Sequence, residues 1–188
     1  MIGVLALQGD FEAHVGMLEQ AGSTARIVKK PELLGQLEGL IIPGGESTTL
    51  IKLMDIYRFW EPLLEFASRG KPILGTCAGM ILLARKVLNP PQKSLNLIDL
   101  AVERNSYGRQ RESFEAVGTF SANGEEKDLP MVFIRAPRIH HLGAGVQSLA
   151  LCGDDCVMAR QGRILVASFH PELTDDLTVH RYFLDMVG

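Results

Sequence analysis

Unbroken apolar runs alternate with segments whose apolar positions recur every three or four residues, and this rhythm fills the first half of the chain. Residues 2–7 and 39–42 are near-continuous apolar runs, the pattern of strands buried on both faces of a parallel sheet. Residues 24–28 alternate as a further strand. Between the first two strands, Phe11, Val15, Leu18 and Ala21 stand at helical spacing, and Gly22 is a natural stop. Residues 31–37 read as a short helical or turn segment, and 50–69 as a helix interrupted near Pro62. Pro72, Ile73 and Leu74 then form a short buried strand, and the apolar stretch 80–84 reads as a buried helix. Strands alternating with helices predict an α/β fold built on an open, mostly parallel sheet flanked by helices.

Past Arg85 the rhythm changes. Residues 89–93, with two prolines, read as a loop. Short strands then alternate with turns over 101–103, 117–120, 131–134, 145–151, 156–160 and 164–169. Residues 177–187 close the chain as a helix, with Leu177, Phe183, Leu184 and Val187 available for its apolar face. The expected sheet is therefore mixed, parallel in the first half with antiparallel additions in the second. No repeat, low-complexity segment or linker interrupts the chain, so residues 1–188 are expected to form a single domain.

Composition narrows the function classes. With 46% hydrophobic and 22% charged residues the chain has the make-up of a globular protein. A net charge of −3 leaves no electrostatic footprint for nucleic acid. No apolar run approaches a membrane span, and residues 1–7 lack the basic start of a signal peptide and read as a strand. Cys77, Cys152 and Cys156 are an odd, sparse set that implies no disulfide framework and fits a reducing cytoplasm. Cys152 and Cys156 are expected in the core on neighbouring strands. His140 and His141, placed in a turn, lack a third ligand at suitable spacing, so no metal is expected. His14 and His180 fall on helices, where solvated or packing roles are the simpler reading.

Three stretches carry chemistry. Gly75, Thr76, Cys77, Ala78 and Gly79 join a strand to a helix with glycine two residues on either side of a nucleophile, the elbow pattern G-x-S-x-G with Cys for Ser. At a helix start, free N–H groups and the positive dipole end favour negative charge on the sulfur. The alternative is that Cys77 is a small buried hydrophobe. Gly44, Gly45, Glu46 and Ser47 follow a buried strand at its carboxyl end, where open α/β sheets place ligands. Their glycines can present N–H groups as an oxyanion hole does, although a tight connection or a phosphate-binding turn would look the same. His170 and Glu172 end the last strand, and in extended chain positions i and i+2 point the same way. A carboxylate that orients a histidine facing a nucleophile is the logic of a catalytic triad.

PGGEST at 43–48, GTCAGM at 75–80 and FHPEL at 169–173 resemble the class I, or triad, glutamine amidotransferases, whose flavodoxin-like fold the resemblance implies. Within that class, LQGDF at 7–11, ERNSYGRQ at 103–110, FIRAPRI at 133–139 and HPELTDD at 170–176 are similar to the glutaminase subunits of pyridoxal 5′-phosphate synthases. The resemblance spans nearly the whole chain with its motifs in the family's order. It implies hydrolysis of L-glutamine to glutamate and ammonia, with the ammonia passed to a separate synthase subunit in a hetero-oligomer, and no cofactor. It assigns Cys77 as nucleophile, His170 as proton shuttle and Glu172 as the residue that orients it. Gly45 and Ala78 would hold the oxyanion through backbone N–H groups. Gly45, Glu46, Ser47, Arg104, Ile134 and Arg135 would bind glutamine. Competing readings are a γ-glutamyl hydrolase or peptidase on the same scaffold, and a catalytically silent regulatory subunit, which an intact triad disfavours.

Overall fold

The computed structural model describes residues 1–104 and 113–188. Residues 105–110 of the ERNSYGRQ stretch lie outside the described residues. The first half runs β1 (Ile2–Leu5), α1 (Phe11–Gln20), β2 (Ala25–Val28), a 3-10 turn (Pro31–Gln36), β3 (Gly39–Ile42), α2 (Ser47–Ile56), α3 (Trp60–Ser68), β4 (Ile73–Thr76) and α4 (Ala78–Leu83). The second half runs β5 (Ala84–Leu88), β6 (Ile98–Glu103), β7 (Ser113–Ala122), β8 (Glu125–Ile134), β9 (Arg138–Leu142), β10 (Gln147–Cys152), β11 (Asp155–Gln161), β12 (Ile164–Ala167), a 3-10 turn (Pro171–Leu173) and α5 (Thr178–Val187).

Nine strands form one sheet in the order β2-β1-β3-β4-β12-β11-β10-β7-β8. Pairings from β2 through β12 are parallel, and those from β12 outward to β8 are antiparallel. The last short strand of the chain therefore completes the parallel half, beside the strand that carries the cysteine elbow. A second sheet of three strands has the order β5-β6-β9. The mixed α/β architecture is the one the hydrophobic rhythm predicts.

Strand alternation divides the core between the two faces of the large sheet. Leu40 and Ile42 point into one cluster with Leu50, Met54, Phe59 and Phe66 of the α2–α3 side. Ile41, between them, joins Ile2, Val4, Leu74 and Leu165 in the other, which α1 and α5 cover with Leu18, Val179 and Phe183. Both faces are dry, which is why these strands read as continuous apolar runs rather than as alternation.

Four local expectations are corrected. The helix expected over 50–69 breaks at 57–59, where Arg58 takes a left-handed conformation with φ 57°, and not at Pro62. Pro62 sits in the first turn of α3, where a missing N–H removes no intrahelical bond. The helix after the elbow is short and passes directly into β5, which has no breaker to announce it and is fixed by pairing with β6. His140 and His141 lie in strand β9 rather than in a turn, held antiparallel to β6. Cys152 and Cys156 do lie on neighbouring strands, but both are only partly buried.

The elbow owes its shape to close packing. A Cβ on Gly79 would fall on the carbonyl oxygen of Ile42, far inside van der Waals contact, so α4 can cross the end of β3 only with glycine there. Replacing Gly79 by Ala is expected to lower unfolding free energy by about 1–3 kcal/mol, because backbone must shift to admit the methyl group. Urea denaturation measures it, and an unchanged midpoint would contradict this account of the crossing.

Candidate active site

Four loops meet at the carboxyl edge of the parallel strands, where β1, β3, β4 and β12 lie together in the sheet. After β4 the chain turns so sharply that Cys77 has φ 48° and ψ −103°. No ordinary well for a non-glycine residue lies there, and such positions cost about 1–3 kcal/mol. The strain is held in place by the Cys77 N–H, which donates to the Ala167 carbonyl of β12 at 2.8 Å. His170 is anchored in turn by its own N–H, which donates to the Val132 carbonyl of β8 at 2.8 Å.

The structure brings Cys77, His170 and Glu172 together. His170 Nδ1 lies 2.7 Å from Glu172 Oε1, and the ring also interacts with the Cys77 side chain. With Nδ1 occupied by the carboxylate, Nε2 is the nitrogen left for sulfur. Glu172 is 6% exposed and His170 8%, so this contact is shielded from bulk water. The pair does not meet on an extended strand, as i and i+2 spacing suggests. Pro171 instead starts a 3-10 turn, and the turn folds the carboxylate back under the imidazole.

Burial works against the charge on His170 more strongly than any other single influence. Hydrogen bonds to Cys77 and Glu172, with their charges, outweigh it together and lift the imidazole to about 10. Burial likewise opposes the charge of Glu172, but the field of nearby His14 and the hydrogen bond and charge of His170 leave its carboxyl below the usual range. At neutral pH the site therefore holds a protonated His170 beside a carboxylate, a proton donor within reach of sulfur.

A cleft of about 310 Å³ opens over these groups, lined by Gly44, Gly45, Glu46, Ser47, Arg104, Ile134 and Arg135 among others. Every residue expected to bind substrate thus faces one space. Their engagements differ. Glu46 caps α2, accepting from the Thr49 N–H at 2.8 Å, and its other oxygen lies 3.5 Å from Arg104 Nη2. Ser47 donates its hydroxyl to Gln92 Oε1 at 3.1 Å. Arg135 is exposed and has φ 42°. Ala78 is fully buried at the start of α4, directly after Cys77. Gly44 can be nothing larger, because a Cβ there would press into the His170 ring.

Residues to which sequence reasoning gave no catalytic or substrate-binding role complete the site. Gln8, just past β1, grips the glycine turn from both ends: Nε2 donates to the Gly44 carbonyl at 3.3 Å and Oε1 accepts from the Glu46 N–H at 3.0 Å. Asp10, Ile81 and Leu173 also line the cleft. His14 and His180, expected to be bland, are fully buried and bonded to each other behind Glu172. The signal was available in the spacing: His14 falls between Phe11, Val15 and Leu18 on the apolar face of α1, and His180 beside Val179 and Phe183 on that of α5.

The model of the SNO glutamine amidotransferase family matches residues 4–188. The chain is 54% identical to a pyridoxal 5′-phosphate synthase subunit PdxT of Anoxybacillus flavithermus over 186 residues, 99% of this chain and 96% of that one. It is 50% identical to the PdxT subunit of Thermosipho africanus, covering 99% and 98%. Among solved structures, a glutamine amidotransferase superimposes with a TM-score of 0.93 at 46% identity, covering 100% of this chain and 98% of that one. The PurLQS structure from Thermotoga maritima superimposes with a TM-score of 0.75 at 17% identity, covering 100% and 98%, a likeness of fold.

Two measurements follow from this geometry. Iodoacetamide is expected to label Cys77 faster than Cys152 or Cys156, whose thiols burial pushes up. Mass spectrometry giving the reverse order would contradict an activated sulfur. The second concerns pH. A histidine raised from 6.5 to about 10 on folding adds stability that is fully present below pH 6.5 and lost as pH climbs through 10. The stability gap between the unaltered chain and His170→Asn, from urea denaturation, is expected to narrow over that window. A constant gap would rule out a raised His170.

Proposed function

The chain belongs to the SNO glutamine amidotransferase family, and from that premise we propose that it is the glutaminase subunit of a pyridoxal 5′-phosphate synthase. It hydrolyses L-glutamine and passes ammonia to a synthase subunit in a cytoplasmic hetero-oligomer that makes pyridoxal phosphate, with residues 1–188 acting as one domain. The observation that carries the reading is a cysteine on a strained elbow beside a histidine whose Nδ1 is held by a buried glutamate.

In this mechanism the Cys77 sulfur attacks the side-chain amide carbon of glutamine, and the carbonyl electron pair moves onto oxygen. The N–H groups of Gly45 and Ala78 receive that oxyanion. His170 delivers its proton to the departing nitrogen, ammonia leaves, and a glutamyl thioester remains on Cys77. Neutral His170 then takes a proton from water, which attacks the thioester, and collapse of the second oxyanion releases glutamate and regenerates the sulfur. Glu172 keeps the imidazole in one tautomer through both halves. The α-carboxylate and α-ammonium of glutamine are read in the cleft formed by Glu46, Ser47, Arg104, Ile134 and Arg135. No metal or organic cofactor enters, because sulfur supplies the nucleophile and backbone N–H groups the electrophilic assistance.

Ammonia released into open solution would be protonated and lost, so hydrolysis is useful only when the chain is docked. Turnover of glutamine is therefore expected to rise when excess synthase subunit is added, and equal turnover with and without it would remove the dependence. In the complex, Cys77→Ala and Cys77→Ser are expected to lose more than about 10³-fold in kcat, with His170→Ala nearly as severe. Glu172→Gln keeps the shape of the side chain and should retain more activity than His170→Ala. Well-folded Cys77→Ala protein that still hydrolyses glutamine would overturn the mechanism. Release of glutamate from γ-glutamyl peptides in preference to glutamine would instead favour a peptidase.

A further inference from the structure

Behind the carboxylate of Glu172, on the side away from His170, lies a second polar layer that the proposed mechanism leaves without a role. His14 of α1 and His180 of α5 are both 0% exposed. His14 Nδ1 is 3.0 Å from His180 Nε2. His14 Nε2 is 3.2 Å from the hydroxyl of Thr76, the residue preceding Cys77, and 3.2 Å from Glu172 Oε2. The approach to Glu172 is within ion-pair distance but bent for a hydrogen bond, so among the described residues Oε2 otherwise stands buried without a partner, as does His180 Nδ1.

Proton placement in this layer can be worked out. Burial lowers both imidazoles, His180 to about 3, so each is neutral at physiological pH and carries one ring proton. One arrangement puts the His14 proton on Nδ1. Its Nε2 lone pair then faces the carboxylate, and the His180 proton is forced onto Nδ1, where no described residue accepts it. The other puts the His14 proton on Nε2, aimed between Glu172 Oε2 and Thr76, with the His180 Nε2–H donating to His14 Nδ1. This leaves only a buried lone pair on His180 Nδ1. A buried donor without acceptor and a lone pair against an anion both cost more than one idle lone pair. The second arrangement is the stable one.

We propose that His14 is a positioning residue of the hydrolysis: its Nε2–H holds the second oxygen of Glu172 while His180 fixes the tautomer that makes this possible. The proposal rests on the reading of Cys77, His170 and Glu172 as the triad. One carboxylate then has an imidazole N–H on each side, His170 bonded to one oxygen at 2.7 Å and His14 facing the other at 3.2 Å, and His14 links that carboxylate to Thr76 and so to the backbone of the cysteine elbow. Because His14 is neutral, it acts as a directed donor and leaves the charge of the site unchanged.

The test combines spectroscopy on the unaltered chain with kinetics on the complex with excess synthase subunit. In ¹⁵N-histidine-labelled protein, His14 is expected to show a protonated Nε2 and a bare Nδ1; a protonated Nδ1 overturns the proposal, and needs no variant that folds. His14→Gln places an amide donor where Nε2–H stood, whereas His14→Met fills similar space without one. His14→Met is expected to lose about 10- to 100-fold in kcat, the effect of one hydrogen bond to a charged group, with KM moving less than about twofold. His14→Gln should recover most of that loss. Equal impairment of the two folded variants, or a loss carried by KM, means that His14 only packs, and overturns the assignment. Cys77→Ala and His170→Ala run beside them: if these retain activity the triad reading itself fails, whereas their inactivity with an unaffected His14→Met isolates the failure to this proposal.

Discussion

Gly79 lies so close to the Ile42 carbonyl that no side chain fits between the start of α4 and the end of β3. Much of the site hangs from that crossing. It sets the turn that carries Gly44 and Gly45 against the loop that carries Cys77, and the parallel register Ile42↔Gly75 keeps both strands ending at one level. On the other flank of β4 the pairing Ala167↔Thr76 delivers His170 at the same height. The strand with the nucleophile is thus central, with the glycine turn on one side and the histidine on the other. Loops from neighbouring parallel strands can converge in this way because they leave the same edge of the sheet.

Electrostatics tightens what topology brings near. A buried carboxylate costs several kcal/mol unless it is paired and hydrogen-bonded. Glu172 meets that demand with His170 on one oxygen and His14 near the other. The price of the arrangement falls on the imidazoles, each biased at rest toward one protonation state: His170 charged, His14 and His180 neutral. Burial pushes all three histidines toward the neutral form. Only His170 faces both a sulfur and a carboxylate that accepts from its ring, and only there does burial lose.

Much of this was legible in the sequence because it depends on local pattern. The doubly buried strands announce themselves as apolar runs, and the elbow is a run of small residues between a strand and a helix. Contacts between distant segments were not legible. β5 contains Arg85 and Lys86 and becomes a strand only by pairing with β6, and β9 reads Arg138, Ile139, His140, His141, Leu142 without clean alternation. The break before α3 comes from the backbone at Arg58, whereas Pro62 drew attention and is harmless in a first turn. His14 and His180 are 166 positions apart, and each alone looks like an ordinary helical histidine. Helix spacing leaves solvated and packing roles open to both, and only the docking of α1 and α5 on one sheet face buries them behind the same carboxylate.

That separation bears on how the site survives a catalytic cycle. On the proposed chemistry His170 gives its proton to ammonia, and for the lifetime of the thioester Glu172 faces a neutral ring. A carboxylate with one neutral partner in a dry site would be drawn to take up a proton, and would then cease to orient the imidazole. Two features oppose this. The His170 Nδ1–H still donates to Oε1, since the proton lost is the one on Nε2. On the proposed tautomer Oε2 meanwhile faces the His14 N–H on α1, an element that takes no part in the proton traffic and keeps its protonation state throughout. The carboxylate is thus stabilised by one donor that belongs to the reaction and one that does not, which allows His170 to change charge twice per turnover without Glu172 following it.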